Sequence, residues 1–235
     1  MIMAGSLHLI PVTLGGNDFR KVIPEWVLSL TIHLRIFIVE DLRSARRYLR
    51  LIDKDFPIDD TLFFELNEHT DIKEIESFLQ PVKEGRDAGI LSEAGLPGIA
   101  DPGSRLVRLA HKSGIRVVPH TGPSSILLAL ISSGMNGQNF TFHGYLPQKN
   151  YDRIEKLKEV ERKALTGQAQ IFIETPYRAE KMAGAIISTC RPDLTLCIAA
   201  DITLESELIS TKTIQQWRKS PPDIDGRLVV FVLGL

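Results

Sequence analysis

Two carboxylates, Glu93 and Asp101, stand in the segment Ser92–Gly103, SEAGLPGIADPG, among three glycines and two prolines. The apolar run Ala88–Leu91 precedes this segment, and Ser104–Ala110, with apolar positions at helical spacing, follows it. The segment therefore reads as a constrained loop between a buried strand and a helix. In open α/β sheets, ligands bind at such carboxyl ends of strands. Glycines let backbone N–H and C=O groups approach a ligand closely, and the two acids are able to grip hydroxyls or a cation. The competing reading is a tight connection with incidental acids. A second pattern is basic: Arg43, Arg46, Arg47 and Arg50 recur at helical spacing within Leu42–Ile52, forming one stripe opposite the apolar face. That stripe suits RNA phosphates, with Tyr48 nearby for stacking. The alternative is a solvated face paired with Glu40, Asp41 and Asp53.

Strands and helices must hold these groups in place. Strands are expected at Leu7–Pro11, Arg35–Val39, Leu62–Phe64, Gly89–Leu91 and Ile115–Val118, and helices at Pro24–Leu30, Leu42–Ile52, Asp71–Glu84 and after Gly103. Such alternation argues for a mainly parallel sheet covered by helices. Pro119–Gly122 reads as a seam, after which Pro123 takes the first position of a helix that runs through Ser133 and stops at Gly134. The second half reads as strands at Phe140–His143, Ile171–Glu174, Leu194–Ala199 and Leu228–Val232, with helices at Asn150–Ala164, Ala179–Ser188 and Thr213–Arg218. Glu207–Thr211 is placed to pair as a hairpin, which makes this sheet mixed. The fold class is thus α/β with two domains, 1–119 and 120–235. A cleft between two such lobes is a favoured place for a cofactor.

The 235 residues are 43% apolar and 24% charged, ordinary for a globular protein with a sizeable core. A net charge of −1 provides no global basic field, so RNA contact has to come from a local patch. Cys190 and Cys197 are too far apart for a CxxC motif, and no disulfide framework or metal site is expected. No apolar stretch reaches the length of a membrane span and no cleavable leader is read, so a cytoplasmic location is expected. The sequence contains neither GxGxxG nor GxxxxGK[ST], which argues against dinucleotide and P-loop NTPase sites.

With these residues in hand, the chain resembles the tetrapyrrole methylase family of S-adenosylmethionine-dependent methyltransferases. It is most similar to the branch that methylates a ribose 2′-hydroxyl of small-subunit ribosomal RNA. The blocks that carry the likeness are LIPVTLGGND at 9–18, VEDLRSARRYL at 39–49, NEH at 67–69, the loop at 92–103, TGPSSILLALISSG at 121–134, FHGYLPQK at 142–149, IFIETPYR at 171–178, ADIT at 200–203 and GRLVVFVLG at 226–234. The family's loop usually begins Ser-Asp-Ala-Gly-Thr-Pro, whereas here Glu93 and Leu96 replace the aspartate and threonine. An arginine usual in the ribosomal branch is Ala200 here. The small carboxy-terminal extension of many ribosomal members is expected to be lacking.

The resemblance implies S-adenosylmethionine in the interdomain cleft and a homodimer. It implies cofactor contacts from Ser92, Glu93, Ala94, Gly95, Gly98 and Ile99, with Pro11 and Leu14 as walls. Ser124 and Ser125, at a helix start, would hold the methionine carboxylate or simply cap the helix. Tyr145, Leu146, Ala200, Gly226 and Leu228 are implied on the adenosine side, although periodicity alone makes Leu228 a core strand residue. Methyl transfer to a ribose hydroxyl is helped by a proton acceptor, for which Glu40, Asp41, Glu68 and Asp101 are the candidates. Lys149 and Arg178 are further phosphate candidates. The rival readings are transfer to a small heterocycle on the same scaffold, and a cofactor-binding module without turnover.

Overall fold

The computed structural model describes residues 4–67 and 69–235. The chain divides into two compact units, Met1–Pro123 and Ser124–Leu235.

In the first unit the elements run β1 (Ser6–Ile10), α1 (Glu25–His33), β2 (Ile36–Val39), α2 (Leu42–Ile52), β3 (Leu62–Glu65), α3 (Ile72–Phe78), α4 (Gln80–Lys83), β4 (Ala88–Leu91), α5 (Gly103–Lys112) and β5 (Arg116–Pro119). The five strands form a wholly parallel sheet in the order β3-β2-β4-β1-β5. β2 and β4, IFIV and AGIL, are buried along their whole length, as central parallel strands covered on both faces must be. On one face Ile36, Ile38 and Ile90 pack against Ile75, Val82 and Leu106 of α3, α4 and α5, and against Leu79 between the first two. On the other, Phe37, Val39 and Leu91 pack against Val27, Ala45 and Leu49 of α1 and α2. The helix expected over Asp71–Glu84 is two helices separated at Leu79. Pro81 lacks an amide to continue the first helix and opens the second instead. α1 runs three residues past the expected end, to His33.

A buried imidazole pair joins β1 to the segment after β5. His8 Nδ1 and His120 Nε2 lie 2.9 Å apart, and the Trp26 and His120 rings meet in a T-shaped contact. Burial lowers both pKa values; for His8, Asp87 opposes and Arg116 reinforces the shift, and for His120, His8 reinforces it. The folded pair therefore takes up protons less readily than the unfolded chain, so stability is complete above about pH 6.5 and declines as pH falls below it. Thermal melts across pH 5–7 check this: His120→Asn should flatten the acid-side fall in Tm, and an unchanged slope excludes the pair as its source.

The second unit comprises α6 (Ser125–Ser133), β6 (Phe140–Tyr145), α7 (Asn150–Ala164), β7 (Ala169–Glu174), α8 (Pro176–Thr189), β8 (Thr195–Ala200), β9 (Leu208–Thr213), α9 (Ile214–Lys219) and β10 (Val229–Gly234). Its sheet has the order β6-β7-β10-β8-β9. Only β6 and β7 pair in parallel, and the expected hairpin partner β9 lies antiparallel to β8. The core centres on Phe172 and Phe231, whose rings stack at 5.4 Å on neighbouring strands. Pro123 does not open α6. Ser124 caps the helix through its side chain, and Gly134 ends it in the left-handed conformation (φ +77°), which a residue without Cβ adopts at no steric cost. Among the described residues no helix is long and apolar enough to cross a membrane.

Candidate active site

β2 and β4 are neighbours, but the chain leaves them on opposite faces, through α2 and α5. A crevice lies at their carboxyl ends, the switch point at which doubly wound sheets bind ligands. Val39, Glu40, Leu91, Ser92, Asp101 and Gly103 line it. The glycine loop expected from the sequence leaves β4 here.

The loop is held by its own carboxylate. Asp101 Oδ1 accepts from the amides of Gly98 (2.9 Å) and Gly103 (2.7 Å), and Oδ2 accepts from Gly98 at 2.8 Å. Burial raises the Asp101 pKa, opposed by these two amides. Gly95 pairs with the loop after β1, donating to Thr13 O and accepting from Val12 N. Gly98 has φ +88°, with no atom within 4 Å of where a Cβ would stand. Ala100 holds φ +62°, a costly conformation for a residue with a Cβ. The exposed upper part of the loop carries Glu93, Ala94 and Ile99.

Glu40 faces the crevice from the end of β2. Its Oε2 accepts from Glu93 N at 3.3 Å. Among the described residues its Oε1 has no hydrogen-bond partner. Burial raises the Glu40 pKa against the lowering effect of that amide, and the charges of Glu93, Asp101 and Asp41 push it further up. The other acids divide cleanly. Asp41 is the α2 cap, accepting from Ser44 N at 2.7 Å, and this hydrogen bonding lowers its pKa. Glu68 lies outside the described residues.

Pro11 and Leu14 are buried in the first unit, with Leu14 packed on Gly95. Tyr48 is not available for stacking. It is 7% exposed and its hydroxyl donates to Pro11 O at 3.2 Å, because its position faces the sheet rather than the basic stripe. Arg43, Arg46, Arg47 and Arg50 are all exposed. Among the described residues none of them forms an ion pair with Glu40, Asp41 or Asp53. Arg46 lies over the Phe63 ring, and Arg50 donates to Lys54 O.

In the second unit the carboxyl ends of β6, β7 and β8 and the amino end of β10 share one edge of the sheet. Tyr145, Gly226 and Leu228 lie there, exposed. At 49% exposure Leu228 is not the core strand residue that periodicity suggests; β10 begins one residue later. Leu146 and Ala200 are core side chains with at most 2% exposure, so the expected adenosine contacts from these two have no open face. Arg178 pairs at 2.8 Å with the fully buried Glu174 and is tied to the fold rather than free for phosphate. The sequence reading missed Asp201. In the left-handed region (φ +50°), it accepts from Arg227 Nε, Ser206 Oγ and Leu228 N, and so shapes the ledge carrying Leu228. Its place directly after Ala200 in the ADIT block was the available signal.

Comparison with known proteins adds a family. Residues 35–217 match the tetrapyrrole (corrin/porphyrin) methylases. A protein of Escherichia coli O157:H7 named ribosomal RNA small subunit methyltransferase I is 30% identical, with 98% of this chain and 78% of that protein aligned. Its namesake in Haemophilus influenzae is 31% identical, over 99% and 80% respectively. Among solved structures, the methyltransferase CobJ shares the fold, with a TM-score of 0.64 at 17% identity over 98% of this chain and 94% of that one.

Proposed function

The chain belongs to the tetrapyrrole methylase family, and from that premise we propose that it transfers a methyl group from S-adenosylmethionine to a ribose 2′-hydroxyl of small-subunit ribosomal RNA. Likeness over nearly the whole chain to proteins named as ribosomal RNA methyltransferases supports the substrate class. The observation that carries the chemistry is the switch-point crevice, where Glu40 and the glycine loop meet.

The residues fit such a donor. A zwitterionic nucleoside needs hydroxyl acceptors, open backbone and an apolar wall; Glu93, the uncrowded Gly98 and the exposed Ile99 provide them. Ser92, Ala94 and Gly95 complete the loop, with Pro11 and Leu14 backing it. Within the second unit, Ser124 and Ser125 at the start of α6 are assigned the carboxylate end, and Tyr145, Gly226 and Leu228 the adenosine. When bound, the donor supplies a methyl group already activated by the sulfonium charge. The chain's own task is then placement and proton removal. Glu40 takes the hydroxyl proton at Oε1, and burial, by raising its affinity for that proton, suits it to the role. Asp101 holds the loop, and the α2 arginines bind phosphates. Cytoplasmic location and a homodimer belong to the same reading, the latter checked by light scattering.

Incubating the protein with labelled donor and stripped small-subunit RNA tests the reading. Label should appear in nucleotides whose 3′ linkage resists base hydrolysis; donor binding without label in RNA would overturn it. Arg46→Glu with Arg47→Glu should weaken RNA binding and leave donor affinity intact. The slope of log K against log salt should fall by about 1.5 to 2 for two lost phosphate contacts, and an unchanged slope rejects the stripe.

A further inference from the structure

α5 carries a basic row that the sequence reading did not single out. Arg105, Arg108 and Lys112 fall at i, i+3 and i+7, all exposed, and so share one face. Neither α5 nor α2 contains a single Asp or Glu, although the whole chain has a net charge of −1. Among the described residues, Arg105, Arg108 and Lys112 make no side-chain hydrogen bond or ion pair. Helix stability does not account for this row. Arg105 sits in the first turn, where the helix dipole disfavours a cation. Arg108 has like charges at both i−3 and i+4. α5 starts at Gly103 on the wall of the crevice, as α2 starts just beyond Glu40 on the other side. The two helices cover opposite faces of the sheet, so two acid-free helices, whose basic side chains form no ion pair among the described residues, flank the crevice.

We propose that Arg105, Arg108 and Lys112 form a second phosphate-binding surface, so that the RNA is gripped on both sides of the crevice that holds Glu40. This rests on the RNA reading above. Its occupant is a polyanionic strand, since three exposed cations in a row offer contacts to successive phosphates. Ordinary phosphate spacing along the strand matches a row of cations better than a single anion would.

The test compares the full-length protein with Arg105→Glu/Arg108→Glu/Lys112→Glu and with the α2 double variant, measuring affinity for stripped small-subunit RNA from about 50 to 200 mM salt. The α5 variant should lose affinity at least about tenfold, and its salt slope should fall by about 2 to 3, with donor affinity by calorimetry unchanged. The neutral triple-Gln variant should show the same fall in slope, which separates lost contacts from charge-driven misfolding. If the α2 variant loses affinity while both α5 variants keep the parental affinity and slope, the second surface is overturned and the RNA reading stands. If the unaltered protein binds and labels no RNA, the RNA reading falls and this surface with it.

Discussion

Asp101→Ala is expected to lower donor affinity by about ten- to a hundredfold, the scale on which slight misplacement of binding groups acts. The carboxylate accepts from two amides at opposite ends of the Gly98–Gly103 turn. Alanine leaves both donors without that acceptor, at a cost of about 2 to 4 kcal/mol in stability. The loop that presents Ile99 and holds Ala100 at positive φ then loses its anchor. Because burial raises this carboxyl's pKa, it takes a proton at higher pH than an ordinary aspartate. Donor affinity of the parent protein should therefore fall on the acid side, and that fall should vanish in Asp101→Ala. Isothermal titration across pH 4–7 measures both. Parental affinity in the variant, with no change in its pH course, would show that the loop does not need this clasp.

Glu40→Gln should reduce methyl transfer by about 10²- to 10⁴-fold, the usual contribution of a positioned proton acceptor. Glutamine preserves size and still accepts from Glu93 N, so donor affinity and Tm should stay near parental values. The parent rate should rise with pH through the raised pKa of Glu40, because the ionised form is the active one. That limb should disappear in the variant. A rate that drops while keeping its pH limb would mean Glu40 only supports the loop, and single-turnover assays across pH separate the two.

Much of this arrangement is legible in the chain itself. The spacing of Leu42, Ala45, Leu49 and Ile52 fixes α2 to the residue, because its apolar stripe repeats at helical period. The loop is legible because glycines and prolines punctuate a buried strand. Strand order is not, because β2 pairs with β4 across about fifty residues that carry no local record of it. Nor is the ranking of Glu40 over Asp41. Adjacent acids differ here only in which side of the strand–helix junction they fall, one facing the crevice and the other turned back to cap α2. Tyr48 shows the reverse error: proximity in sequence to four arginines concealed that its own position faces the sheet. The break at Leu79 was signalled by Pro81 but masked by an apolar period that continues through Ile75, Phe78, Leu79 and Val82.

Only Asp41 separates Glu40 from α2, and its side chain locks the first turn of that helix. The arginine row is therefore phased to the Glu40 carboxylate like marks on a ruler. From Arg43 to Arg50 it extends about 10 Å along the axis, at about 1.5 Å per residue. One residue inserted between Asp41 and Leu42 would swing every mark about 100° around the axis while Glu40 stayed at the strand end. On the proposed reading, a nucleotide chain would still adhere to such a protein, but the sugar it offers to Glu40 would be presented out of step.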